Sequence, residues 1–511
     1  MPQTEAVCGK EFVERRLYLL FKFIIIYLYN IFNSFVRKDF GKKTGNFVPA
    51  GAVQGLRRGC APAAAPAQPP KEHRDRPGKR GTMRAAFYTL GCKVNQYETQ
   101  IMTQQFAAYG YDIVDSGDHA DVYVINSCTV TASGDKKTRQ MIHRIKRENP
   151  GAVIAMTGCF PQAFPEEAQK LSEVDVLVGA GEKKKVLDYV NEYLQKGERI
   201  VRITPHTRDE GFEQMSAGSF LERTRAFVKI QDGCEHYCSY CIIPYARGFN
   251  RSKPLEELKQ ELIDLSLQGY REVVLVGIDL SSYGKDLGCH LVDAVQLACG
   301  IPGIERVRLG SLEPLMLTDR NLSILAALPK FCPQFHLSLQ SGCDATLKRM
   351  NRHYDTAFYR ELVARIRRQF DNPSITTDIM VGFPGETEEE FEQSLAFARE
   401  IGFAKVHVFA YSVRPGTRAA RMPDQLTHQQ KEQRSRQMTA VTEESRRQFL
   451  QGQVGLEEEV LIETETLNGM QHGYTKNYTP VCVRAQEDLS GRICRVRVVE
   501  AEGDYCIGTI L

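Results

Sequence analysis

Six of the fifteen cysteines in this 511-residue chain stand where thiolates could hold an inorganic cofactor. Cys234, Cys238 and Cys241 crowd into one short motif, GCEHYCSYCIIP. Cys92, Cys128 and Cys159 are far apart, but each follows a short apolar run that reads as a strand. Three thiolates on a four-iron cluster leave one iron without a protein ligand, free to bind a substrate or cofactor, whereas a four-cysteine cluster is closed. Two such trios point to a reaction that needs two open clusters. Zinc competes at both. At the compact trio it would take His236 as a fourth ligand, although zinc modules usually present paired CxxC knuckles; at the dispersed trio no fourth ligand is near. Three unrelated core thiols are a further alternative for the dispersed set. Against it, Gly91 and Gly158 directly precede two of these cysteines, and glycine lets backbone approach a bulky cofactor.

The elements that must position these thiols alternate along the chain. Residues 83–215 read as one domain, with strands at 85–90, 122–126, 153–157 and 174–178 and helices at 95–109 and 135–148, a pattern that implies a parallel sheet. The three dispersed cysteines fall just beyond the first three strands, and in open parallel sheets ligands sit outside the carboxyl ends of strands. Residues 220–430 read as a second domain. Its first strand, 226–231, runs straight into the compact trio. Five more strands follow at 272–276, 306–311, 336–340, 376–381 and 405–409, with helices at 254–268, 354–370 and 388–401. Six strands suit an open (β/α)6 barrel. Polar residues and glycines recur just after these strands: Gly277 and Asp279, Ser311 and Glu313, Gln340 and Ser341, Asp378 and Gly382, Tyr411 and Ser412. Barrel chemistry is built at that end. VGFPGETEEEF is a turn followed by a helix start, and without the Walker lysine it is no phosphate loop.

A charged helix over 426–450 follows, its 431–446 stretch a linker, and short strands over 447–511 read as a small all-β domain. There Tyr474, Lys476 and Tyr478 lie close together, and small β-barrels use such rings and charges to stack on and track single-stranded nucleic acid. Cys482, Cys494 and Cys506 read as core-filling thiols. The fold class is therefore α/β, with a parallel-sheet cluster domain, an open barrel and a small C-terminal β domain.

Bulk composition is that of globular protein, with 42% hydrophobic and 25% charged residues. Fifteen cysteines without the pairing pattern of small secreted domains fit a reducing cytosol. The net charge of +3 hides an asymmetry: residues 1–82 hold 15 basic and 6 acidic residues, the remainder 51 and 57. Global charge therefore does not announce a nucleic-acid binder, and any RNA contact must come from local patches. Residues 1–82 do not conform to the rest. Their apolar run, 17–32, is interrupted by Lys22 and falls short of the ~20 residues that comfortably span a bilayer. Acidic residues precede it, which suits a signal peptide poorly. A membrane anchor, a cleaved leader and sequence upstream of a start at Met83 compete; the last is the reading adopted, and no membrane association is expected of the mature protein.

From Met83 onward the chain resembles the methylthiotransferases, which join an N-terminal cluster domain, a radical S-adenosylmethionine (SAM) domain and an RNA-binding TRAM domain. TLGCKVNQYET, SCTVTASGDKKTRQ and TGCFPQ match the first; CEHYCSYCIIPYARG, SLEP, LQSGCDATLKRMNR, TDIMVGFPGETEEEF and HVFAYSVRPGT match the second. TLGCKVNQYE, CTVT and the ARG after CIIPY are similar to the branch that acts on threonylcarbamoyladenosine in tRNA, the MtaB type, rather than to the isopentenyladenosine branch, which usually reads GCQMN. The resemblance implies that Cys234, Cys238 and Cys241 hold a 4Fe–4S cluster chelating SAM, with Tyr240 as the aromatic usual before the third cysteine. It implies that Cys92, Cys128 and Cys159 hold a second 4Fe–4S cluster carrying the sulfur to be inserted. A reducing electron donor would trigger SAM cleavage to a 5′-deoxyadenosyl radical, a second SAM would methylate the sulfur, and the sulfur source is open. Tyr240, Gly277, Glu313, Gln340 and Asp378 are the SAM contacts expected by position. The expected partner is a tRNA anticodon loop, bound in the cytoplasm, with Tyr474, Lys476 and Tyr478 as RNA contacts.

Overall fold

The computed structural model describes residues 82–214 and 224–511, which belong to one compact unit. The expectations for residues 1–81 lie outside the described residues. Among the described residues no helix is long and apolar enough to cross a membrane.

The first layer is a six-stranded, all-parallel sheet: β1 (Arg84–Thr89), β2 (Asp112–Val114), β3 (Val122–Ser127), β4 (Val153–Gly158), β5 (Val176–Val178) and β6 (Ile200–Arg202), in the order β2-β1-β3-β4-β5-β6. VYVINS and VIAMTG of β3 and β4 are buried at every position, as a sheet covered on both faces requires. Register places Thr89, Asn126 and Thr157 side by side on adjacent strands. The segments that follow therefore leave the sheet in one row. The three-residue strands β2 and β6 are too short to show a pattern in the sequence.

Next comes a parallel wall of six strands: β7 (Arg225–Lys229), a small ribbon of β8 (Gln231–Asp232) with β9 (Arg251–Ser252), then β10 (Glu272–Val276), β11 (Arg306–Leu309) continued by β12 (Ser311–Leu312), β13 (Gln334–Leu337), β14 (Ser374–Val381) and β15 (Lys405–Ala410). Pairing runs β7-β10-β11 and β12-β13-β14-β15. Gly310 divides the third strand of the wall where 306–311 reads as one run. Helix Lys93–Tyr109 packs against β7, and helix His428–Gln451 against β15. One apolar core runs from Ala85 through both sheets to Met438.

Helix His428–Gln451 starts with a capping box, Thr427 with Gln430, and continues unbroken across the boundary expected at 446–447. A closed five-stranded barrel follows: β16 (Glu457–Leu467), β17 (Met470–Tyr474), β18 (Pro480–Val483), β19 (Ile493–Glu502) and β20 (Tyr505–Ile510). It meets the wall at the N-terminal ends of the strands, opposite the cysteine loops. Arg306 donates to the carbonyls of Tyr474 and Glu459, and Arg308 to that of Lys476. Cys482 and Cys506 are buried in this barrel and Cys494 packs against its core.

Candidate active site at two cysteine trios

Cys92 and Cys128 come from the loops after β1 and β3, and Cys159 joins them as the first residue of the helix Cys159–Ala163, which follows β4 directly. Gly91 holds φ +121°, and a Cβ there would lie 2.9 Å from the Cys128 Cβ and 3.2 Å from its Sγ. Gly158 holds φ +103°, and a Cβ would strike the Ser127 carbonyl oxygen at 2.4 Å. Both glycines are therefore imposed by the close approach of the segments that carry the thiols. Asn95 pins the loops: its Nδ2 donates to the carbonyls of Leu90 (2.9 Å) and Ser127 (3.2 Å). Burial pushes the Cys128 thiol up to about 12, with Cys159 and Cys92 adding to the rise. Thiols so close resist ionising unless a cation joins them, and a metal deprotonates a coordinating thiol outright.

Cys234, Cys238 and Cys241 sit on the loop after β8. Burial raises the Cys241 thiol to about 12, with Cys238 the next cause, and it raises Cys234 too, where Asp279 adds to the effect. Arg352 donates Nη1 to Cys238 Sγ at 3.2 Å, and its Nη2 holds both oxygens of Glu313 at 2.7 and 2.6 Å. A cavity of about 290 Å³ opens beside Cys238, lined in part by His236, Glu313, Arg352 and Tyr354.

Spacing separates the cofactor alternatives. Tetrahedral zinc with bonds of 2.3 Å brings its sulfurs to about 3.8 Å from one another. Among the described residues the one trio of possible ligand atoms lying wholly within 4.8 Å is Cys234, His236 and Asp279; neither cysteine trio closes that tightly. His236 Nε2 meets Asp279 Oδ2 at 2.9 Å, so its ring is engaged by a carboxylate. With His236 already paired to Asp279, each trio offers three thiols and, among the described residues, no fourth cysteine, a donor set that suits an iron–sulfur cluster with one open iron.

The residues expected around SAM have these surroundings. Gln340 holds φ +71°, uncommon for a non-glycine residue, and its buried Oε1 has no hydrogen-bond partner among the described residues. A polar atom left in that state is what a bound polar ligand would satisfy. At Gly277 a Cβ would lie 2.8 Å from Gln231 Oε1. Tyr240 packs edge-on to Phe383, beside Met350 and Met380. Asp378 Oδ2 lies 3.3 Å from His336 Nε2. Glu313 gives both oxygens to Arg352 and so acts by holding that arginine.

The three residues expected to meet RNA lie elsewhere. The Tyr474 and Tyr478 rings stack on each other at 4.4 Å, the Arg225 guanidinium lies over both, and Arg308 lies over Tyr478. Lys476 pairs with Glu459 at 3.3 Å. All three are half-buried. These side chains join the small barrel to the wall, and Tyr474 with Arg225 also lines a cavity of about 720 Å³.

Sequence reasoning passed over the groups that link the two trios. Arg247 is completely buried. It donates Nε to Cys159 Sγ at 3.2 Å, Nη2 to Asn95 Oδ1 at 2.6 Å and Nη1 to Glu98 Oε1 at 2.5 Å. Burial works to raise Glu98, but Arg247, Lys183 and Lys229 outweigh it and hold the carboxyl far below its usual range. Arg414 crosses the same seam, donating to Asp135 (2.6 Å) and Thr129 (2.7 Å). The available signal was an arginine inside the Gly- and apolar-flanked run PYARG.

Three sequence profiles tile the chain: Uncharacterized protein family UPF0004 over residues 84–179, the Radical SAM superfamily over 228–398 and the TRAM domain over 443–511. The chain is 38% identical over 427 residues to a Bacillus subtilis threonylcarbamoyladenosine tRNA methylthiotransferase, MtaB, covering 82% of this chain and 94% of that one. It is 33% identical over 423 residues to a Clostridium botulinum tRNA-2-methylthio-N(6)-dimethylallyladenosine synthase, covering 81% and 94%. Among solved structures, the radical SAM methyltransferase TsrM of Kitasatospora setae aligns with a TM-score of 0.49 and 14% identity, covering 66% of this chain and 75% of that one. On its three domains and its identity to these relatives, the chain belongs to the radical SAM tRNA methylthiotransferases of the MtaB type, enzymes that work with SAM and an iron–sulfur cluster.

Proposed function

We propose that this chain inserts a methylthio group into threonylcarbamoyladenosine beside the anticodon of tRNA, with SAM and two 4Fe–4S clusters, in the cytoplasm. The observation that carries the reading is the presence of two separate thiol trios, each with its own arginine on one sulfur. Cys234, Cys238 and Cys241 would hold one cluster and Cys92, Cys128 and Cys159 the other. When bound, these groups supply the electron that cleaves SAM and the sulfur to be transferred. The rest is placement by the chain. Glu313 fixes the Arg352 fork, so that Nη1 stays on Cys238 Sγ and the trio keeps its open side free. Gln340 Oε1 offers an acceptor to the amino acid end of SAM, and Asp378, oriented by His336, a second polar contact. Tyr240 shields the loop from water through its packing on Phe383. A nucleotide in a single-stranded loop can be splayed toward the space between the trios, since RNA is most readily read where bases are unstacked.

The choice of nucleoside rests on the greater identity to the relative named for threonylcarbamoyladenosine, 38% against 33% for the one named for dimethylallyladenosine. Nucleoside analysis of tRNA from a deletion strain decides between them. We expect 2-methylthio-threonylcarbamoyladenosine to vanish and its unmodified parent to accumulate. Loss of the methylthio-isopentenyl nucleoside instead would assign the chain to the sister activity.

A further inference from the structure

The two sulfur-bound arginines are built differently. Arg352 stands in the same domain as Cys238, with Glu313 as its carboxylate partner. Arg247 reaches across domains. Its Nε meets Cys159 in the first domain, while Nη1 and Nη2 engage Glu98 and Asn95, and Nη1 also lies 3.3 Å from Asp232. Lys229 and Lys183 contact the same Glu98 carboxylate at 2.9 and 3.0 Å, so the acceptor that holds the guanidinium is itself fixed. Arg247 ends the helix Ile243–Arg247, which begins two residues after Cys241. One short segment thus carries the last thiol of the compact trio and the hydrogen-bond donor to the dispersed one.

Hydrogen bonds to cluster sulfurs are among the factors that set a cluster's potential. An N–H donor withdraws electron density from the thiolate and favours the more negative, reduced state. We propose that Arg247 is the positioning residue that ties the Cys92–Cys128–Cys159 cluster to the SAM-cluster loop and raises its reduction potential through the bond from Nε to Cys159. The inference rests on the two-cluster reading above. Only a planar fork with several fixed donors reaches a sulfur, an amide oxygen and two carboxylates at once; an ammonium keeps the charge and loses that geometry.

The test uses the full chain with Cys234, Cys238 and Cys241 all changed to Ala, so that only the dispersed trio can load. Its potential is measured by EPR-monitored titration after anaerobic reconstitution, alone and combined with Arg247→Gln, Arg247→Lys or Lys183→Gln. Lys183→Gln removes a charge from the same network without touching sulfur. The expected result is a clear fall in potential for Arg247→Gln and a smaller one for Arg247→Lys, with about four irons per chain retained, and the smallest for Lys183→Gln. An unchanged potential in both Arg247 variants would overturn the proposal. So would an equal fall in Lys183→Gln, because net charge rather than the bond to sulfur would then be the cause. Should Arg247→Gln fail to load, the loaded Arg247→Lys protein decides on the same criterion. A parent that holds no iron strikes the two-cluster reading itself, a failure distinct from that of Arg247.

Discussion

Cys234, Cys238 and Cys241 occupy eight consecutive residues of one loop, whereas Cys92, Cys128 and Cys159 span 68 residues and the ends of three different strands. The compact trio can form its ligand set locally, once β8 and β9 fix the ends of the loop. The dispersed trio exists only when β1, β3 and β4 are in register, since a slip by one residue would turn each following segment the other way. The supports differ in the same sense. Arg352 belongs to the barrel it serves, while Arg247 and Arg414 reach the first domain from the second. One site is thus a property of sequence neighbours and the other of tertiary structure, so the dispersed site should be the more easily lost.

The largest effect separates the two trios by chemistry. Cys238→Ala should abolish SAM cleavage and product together, while Cys128→Ala should keep some SAM cleavage and make no methylthio product. Reductive SAM cleavage and tRNA nucleosides measured on the same preparations check this; equal loss of both activities in both variants, with the remaining cluster intact, would refute the division.

Gly158→Ala probes the register without touching a thiol. The new methyl meets the Ser127 carbonyl at 2.4 Å in a backbone conformation that disfavours side chains. We expect a cost of about 3 kcal/mol and loss of about half the iron, with SAM cleavage retained. Thermal unfolding and iron analysis read both, and full iron in this variant would show that the trio tolerates a displaced sheet. Arg414→Ala should cost about 2 kcal/mol, because Asp135 loses a charged hydrogen bond at a buried seam. It should reduce methylthio product more than SAM cleavage; an equal reduction would place Arg414 outside the link between the sites.

The smallest effect is expected outside both trios. Cys289, half-buried after Gly284, should tolerate Ser within about 0.5 kcal/mol, and iron content should not change. A fall in iron there would mean that a seventh thiol takes part.

The compact trio was legible because its spacing is local, and the dispersed one because each thiol follows a strand-forming run. The six strands of the wall were legible for the same reason. β17 was not: MQHGY carries almost no apolar alternation, and barrel closure rather than propensity makes it a strand. Arg247 and Arg352 were not legible as sulfur donors either. An arginine in sequence reads as surface charge, and only the convergence of Glu98, Asn95 and Cys159 from another domain reveals a buried one. Tyr474 and Tyr478 show the converse, a pair whose surroundings were not legible. Their types suit base stacking, but Arg225 and Arg308 cover the rings, and no local pattern announces a partner more than 150 residues away.

Iron and sulfide quantified in anaerobically reconstituted protein, beside the two triple-alanine variants of the trios, test the central claim most directly. The account predicts about eight irons in the unaltered chain and about four in each variant, with SAM-responsive EPR signals surviving only where Cys234, Cys238 and Cys241 remain. About four irons in the unaltered chain, lost altogether in one variant and untouched in the other, would contradict it.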